Sequence, residues 1–141
     1  MIVWPAELPQ YVLGTGFNES FGDGRLSTSM ENGPPKTRRR FSSVARPVSA
    51  SFRVTLNQKN RLRRFFDEDT KGGSLPFLIR NLVEDGAHLT NNAGLRITNN
   101  AGVGVRFVNH WLVMFGGQPP SFTSPDRGLS FVASTPIVIM P

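Results

Sequence analysis

The chain has 141 residues, with 16 Lys or Arg against 10 Asp or Glu, a formal net charge of +6 and no cysteine. A chain of this length holds one ordinary domain that folds without staples, and the missing thiols exclude a disulfide scaffold while leaving the redox compartment open. No apolar run reaches the roughly 20 residues that a membrane-spanning helix needs, and 14 Gly, 11 Pro and 11 Phe favour strands broken by turns over a helical bundle.

Residues 1–35 read as an extended arm. Pro5, Pro9, Pro34 and Pro35 favour extended backbone, and Gly14, Gly16, Gly22, Gly24 and Gly33 punctuate it. Such a segment makes no core of its own and must lie on the domain or on a neighbour. Trp4 and Tyr11 are its candidate anchors. The opening Met1-Ile2-Val3-Trp4-Pro5 lacks the basic start and long apolar stretch of a secretory signal.

A first strand is expected over Arg38 to Ala45. Beyond the break at Arg46-Pro47, Val48, Ala50, Phe52, Val54 and Leu56 alternate with Ser49, Ser51, Arg53 and Thr55. Period two means one buried and one wet face, as in an antiparallel sheet. A short helix follows, with Asn57 as its expected N-cap and Leu62, Phe65 and Phe66 as its apolar stripe. Lys59, Arg61, Arg63 and Arg64 cover its other sides, and Gly72-Gly73 stops it.

Further strands are expected at 74–79, 109–115, 129–133 and 137–140, with a proline-containing loop at 118–127. Between them lies a turn-rich insertion, 82–104, holding an internal repeat: Leu-Thr-Asn-Asn-Ala-Gly-Leu-Arg from Leu89, then Ile-Thr-Asn-Asn-Ala-Gly-Val-Gly from Ile97. Asn and Gly tolerate positive φ, so each copy reads as an extended piece plus a tight turn around Asn91-Asn92 or Asn99-Asn100. Two copies are too few for a solenoid, and a projecting hairpin is expected. The fold class is mainly β: an antiparallel sandwich or barrel-like single domain over 1–141, with one short flanking α-helix and long loops.

Reactive constellations are scarce. Only His88 and His110 are present, and neither stands in a nucleophile context. Asp67-Glu68-Asp69 is the one acidic cluster, and consecutive helical positions diverge. Gly14-Thr15-Gly16 and Gly22-Asp23-Gly24 lack the lysine and the strand–turn–helix context of a phosphate loop. No catalytic residue, metal site or cofactor is nominated, and the chain is not read as an enzyme. Two basic clusters remain, Lys36 to Arg40 and Arg61, Arg63 and Arg64. A nucleic-acid surface would gather charge on one face beside exposed aromatics, whereas Phe41, Phe52, Phe65 and Phe66 fall at core-like positions. DNA contact is therefore permitted but not expected, and ion pairs to an adjacent subunit are preferred.

The order of these features resembles the small minor tail and distal-tail proteins of long-tailed bacteriophages, the group that includes the lambda minor tail protein M. The likeness runs through Gly14-Thr15-Gly16-Phe17-Asn18-Glu19-Ser20, then Glu31-Asn32-Gly33-Pro34-Pro35-Lys36-Thr37-Arg38-Arg39-Arg40, the alternating strand, the helix and Gly72-Gly73-Ser74-Leu75-Pro76-Phe77. A Trp-containing strand at Trp111-Leu112-Val113 and an apolar strand at Pro136 to Met140 complete it. The proline-rich start and the insertion depart from the pattern. The resemblance implies a virion protein, made in the bacterial host cytoplasm and assembled, without membrane insertion, as a ring that joins the tail tube to the tail-tip hub. Such rings are commonly hexameric. A head–tail connector or tail-completion ring is the alternative position, and a nucleic-acid-binding module is a third reading. The candidate contacts with other copies, tube, hub and tail-tip proteins are Trp4, Tyr11, Arg38, Arg39, Arg40, Arg61, Arg63, Arg64, Asn91, Asn92, Asn99 and Asn100.

Overall fold

The computed structural model describes all residues, Met1–Pro141. Its elements are β1 (Asn18–Glu19), β2 (Arg25–Thr28), β3 (Lys36–Arg39), β4 (Arg46–Val54), α1 (Leu56–Arg64), β5 (Phe77–Arg80), β6 (His110–Phe115), β7 (Ser121–Thr123) and β8 (Phe131–Ile139). A π-helical turn, Phe65–Asp69, continues α1. The main sheet is antiparallel in the order β1-β4-β8-β6-β5, and β7 also pairs with β8. Its framework is the long β4–β8 ladder, from Arg46 opposite Ile139 to Val54 opposite Phe131.

The alternation in β4 works as its sequence demands. Val48, Ala50, Phe52 and Val54 are buried, together with Ala133, Ile137 and Ile139 of β8 and Trp111, Val113 and Phe115 of β6. The mainly β, antiparallel architecture with one short helix is thus the fold observed. The sheet does not close into a barrel. The second sheet, β2 with β3, is exposed at every residue, so it is a free ribbon and not the second layer of a sandwich. What covers the buried face of the main sheet is α1, the π turn and the start of the chain.

The helix cap lies two residues before the expected one. Thr55 is the N-cap: its hydroxyl accepts from the Gln58 N–H, and the Gln58 side chain accepts from the Thr55 N–H, a reciprocal capping box. At its other end the turn widens. The Thr70 N–H reaches the Phe65 carbonyl at 3.0 Å, and the buried Thr70 hydroxyl donates to the Phe66 carbonyl at 2.8 Å. The extra residue in the turn lets both phenylalanines meet the sheet, Phe65 edge-on to Phe77 at 5.2 Å and Phe66 edge-on to Phe115 at 5.1 Å. Gly73 follows at φ +84°, where a Cβ would stand 2.7 Å from the Phe66 ring.

Strands expected at 129–133 and 137–140 are one strand, β8, running through Pro136. On that side of β8, β6 covers Ile137 to Ile139 and β7 covers Val132 to Ser134. Pro136 stands in the gap between them, where its missing N–H deprives no ladder. The strand expected over Arg38 to Ala45 is also redrawn: pairing ends at Arg39, and the chain turns before β4.

The first twenty residues form a strap from one edge of the sheet to the other. At the β5 edge, the Leu78 N–H donates to the Ile2 carbonyl and the Trp4 N–H to the Leu78 carbonyl, at 2.9 and 2.8 Å. At the β4 edge, the Leu13 N–H donates to the Ser51 carbonyl at 2.7 Å and β1 pairs with Val48 and Ser49. The chain thus covers the outer edge of β5 at Leu78 and part of the outer edge of β4 itself.

Candidate interaction surfaces

Trp4, expected to grip a neighbour, is only 6% exposed. It stacks on Phe52 at 5.3 Å and meets Phe65 edge-on at 5.6 Å, and its indole N–H donates to the Pro9 carbonyl. An amphipathic aromatic with these partners is a core residue, so Trp4 is removed from the contact set. Tyr11 is 76% exposed and lies under the Arg80 guanidinium, 4.4 Å from its carbon to the ring centre.

The sheet face opposite the helix carries no layer. Register places Val3 beside Leu78, Leu78 opposite Leu112, and Leu112 beside Met140, whose N–H donates to the Leu112 carbonyl. These four apolar side chains form one row across four neighbouring strands. Val3 is 57% exposed, and Leu112 and Met140 are each 37% exposed. Met114 and Val138, also paired, lie in the next row.

A projection leaves the sheet after Asn81 and returns at Asn109, somewhat longer than the expected insertion 82–104. Its base is tied by the Asn81 N–H to the Asn109 carbonyl, the Asn109 N–H to the Asp85 carboxylate, and the Arg80–Asp85 ion pair at 3.1 Å. Beyond it the two repeat copies fold alike. The Asn91 side-chain oxygen accepts from the N–H groups of Ala93 and Leu95, and that of Asn99 from Ala101 and Val103, all within 2.9 to 3.0 Å. Gly94 and Gly102 close the turns at φ +79° and +77°. The side-chain oxygens of Asn91 and Asn99 thus organise the turns, while both residues stay exposed. Asn92 and Asn100 are exposed on the turns.

A third extended segment, at Val105, completes the projection. The Ile97 N–H donates to Leu89, Val105 to Ile97, and Leu89 to Val105, each at 2.9 Å, a closed triangle of backbone bonds. The signal in the sequence is an apolar residue at every eighth position: Leu89, Ile97, Val105. Leu95, Val103, Phe107 and Val108 stay exposed on this element. His88 pairs with Arg106 across the triangle and lies against Gly104. Desolvation there, then the charges of Arg96 and Arg106, hold its pKa below the ordinary histidine value.

The β2–β3 ribbon is the other projection. Gly22 and Gly24 pass so close to Val44 that a Cβ at either would lie within 2.6 Å of it. The Arg40 N–H donates to the Gly24 carbonyl at 2.7 Å, and the Arg39 guanidinium donates to the carbonyls of Phe41 and Ser42. Arg25 pairs with Asp23 at 3.0 Å, which holds the Asp23 carboxyl below the usual carboxylate range. Phe41, expected in the core, is 52% exposed because the chain turns away from the sheet here.

The helical arginines divide. Arg61 is engaged by Asp69 at 3.4 Å and Glu7 at 3.6 Å, so it is tied to its own chain. Arg63 and Arg64 are exposed. Asp67, Glu68 and Asp69 do not converge on one point.

No family model, curated protein or solved structure matches the chain. No helix is long and apolar enough to cross a membrane.

Proposed function

We propose that the chain is a structural subunit of a bacteriophage tail, a distal-tail or tail-tip ring component that joins the tail tube to the hub. The observation that carries an assembly role is the unlayered sheet face, where Val3, Leu112 and Met140 of the row through the half-buried Leu78 meet solvent in the isolated chain. Single exposed apolar residues need no explanation, but a contiguous row on a regular element marks a surface that a partner covers. The choice of a tail rests on the resemblance in the order of features, from Gly14 to Met140.

The mechanism is one of fitting. A ring needs two different surfaces on each subunit that close head to tail. The flat apolar sheet face is one, and the projection with Leu95, Val103, Phe107 and Val108 is the other. The strap covers the β5 edge and part of the β4 edge, so the side chains of the flat face carry the contact there. The test is a reconstruction of the intact particle. Copies arranged as a ring at the tail tip support the reading; copies at the head–tail junction move the subunit to the connector, and absence from the particle overturns it.

A further inference from the structure

We infer that the β2–β3 ribbon is a binding element for the phosphodiester backbone of nucleic acid, read without regard to sequence. The inference stands apart from the tail assignment and rests on the ribbon alone.

Register sorts the ribbon's cations. Arg25 lies opposite Arg39 and Leu26 opposite Arg38, with Thr28 opposite Lys36. Pleat alternation puts Lys36 and Arg38 on one face and Arg39 with Arg25 on the other. One residue beyond the strand, the N–H groups of both Arg40 and Phe41 donate to the Gly24 carbonyl, a bulge that sets Arg40 opposite Gly24, on the side of Lys36 and Arg38.

The two faces differ in what their charges do. Arg25 is held by Asp23, and Arg39 by the carbonyls of Phe41 and Ser42. Those bonds, with the pinch of Gly22 and Gly24 against Val44, fix the ribbon's base. Lys36, Arg38 and Arg40 form no ion pair in the chain. Every other residue of a strand recurs at roughly 6.6 to 6.8 Å. Phosphates along a nucleic-acid strand also recur regularly, one per about 3.4 Å of duplex axis on each strand. A row of unpaired like charges along one face suits a polymer of regularly recurring phosphates better than the irregular carboxylates of a protein face.

Exposed aromatic rings lie at the base of the ribbon. Phe41 is half exposed with the Arg40 guanidinium 5.1 Å from its ring centre, and Phe21 is 92% exposed just before the Gly22 pinch. Charge on one face beside solvent-facing aromatics is the arrangement that single-stranded nucleic acid uses, the bases stacking while the phosphates follow the cations.

The test is a binding titration of the full chain against a labelled single-stranded oligonucleotide, its duplex, and poly-glutamate, from about 50 to 200 mM salt. Both nucleic acids should bind, with affinity falling linearly in log salt. Replacing Lys36, Arg38 and Arg40 together by Ala should flatten that slope by about 2 to 3. These side chains are exposed, so folding, followed by circular dichroism, stays intact. Removing three cations elsewhere, Arg63, Arg64 and Arg96, should leave the slope nearly unchanged. F41A should weaken the single strand more than the duplex if the ring stacks bases; equal loss on both assigns the contact to the backbone alone, still within the inference. Three results overturn it: no salt-dependent binding, the same loss in both triple variants, or poly-glutamate competing as well as DNA, which would make the ribbon a dock for an acidic protein.

Discussion

Two proline- and glycine-rich stretches lie side by side in the sequence and meet opposite fates. Residues 1–20 lie on the sheet and bury Trp4 and Leu8, while residues 21–45 swing out as a ribbon with Phe21, Met30 and Phe41 in solvent. Composition does not separate them. The difference is that the first stretch brings a large ring within reach of Phe52, Phe65 and Phe77, whereas the second is turned away at Val44 before its rings can reach the core. An arm becomes part of the body when it supplies a piece that the core lacks; otherwise it is left for a partner.

The comparison is sharpest when the two aromatics are removed in parallel. W4A should cost about 3 to 5 kcal/mol in denaturant unfolding, as truncating a buried aromatic does. F41A should stay within about 0.5 kcal/mol of the parent, as an exposed substitution does. Equal losses would mean that the ribbon packs on the body in solution. G73A tests the body's tightest backbone point. At φ +84° and beside Phe66 it should lose about 1 to 3 kcal/mol, seen as a lower denaturation midpoint.

Next in size is the cap. T55A should lose about 1 kcal/mol by removing a bond to the helix N-terminus. That residue also measures what was readable in advance. The alternation of β4, the helix stripe of Leu62, Phe65 and Phe66, and the apolar runs of β5 and β6 were plain, because each follows a local period. Asn57 is a good cap in isolation, but the reciprocal bond of Thr55 with Gln58 is the stronger signal. The π turn was hidden because a single inserted residue leaves the stripe's spacing unchanged in the sequence.

The surfaces were less readable than the strands. Arg38 and Arg40 were marked as contact residues, and register gives them a shared face with Lys36. Trp4 was marked for the same role and belongs to the core, since no local pattern tells whether an extended aromatic finds its own sheet or another's. The third side of the projection's triangle is hard to read because Val105 carries the eight-residue spacing without the Asn-Asn-Ala-Gly turn.

The smallest effect concerns the projection against the body as pH changes. His88 has a folded pKa below its unfolded value, so the folded projection favours the neutral ring. Its contribution is complete above the unfolded value of about 6.5 and declines as pH falls below it toward the lowered folded value. Hydrogen exchange should show backbone protection at Leu89, Ile97 and Val105 weakening below about pH 6.5, with β4 and β8 unaffected. In H88N the pH dependence should vanish; its persistence would assign the change to another group.

The sheet's bare face decides the account most directly. Solvent footprinting of the assembled particle against the isolated chain should show Met140 and Leu112 labelled when free and protected when assembled, while Trp4 is protected in both. Equal labelling of Met140 and Leu112 in the two states would leave the apolar row without an occupant and contradict the assembly role.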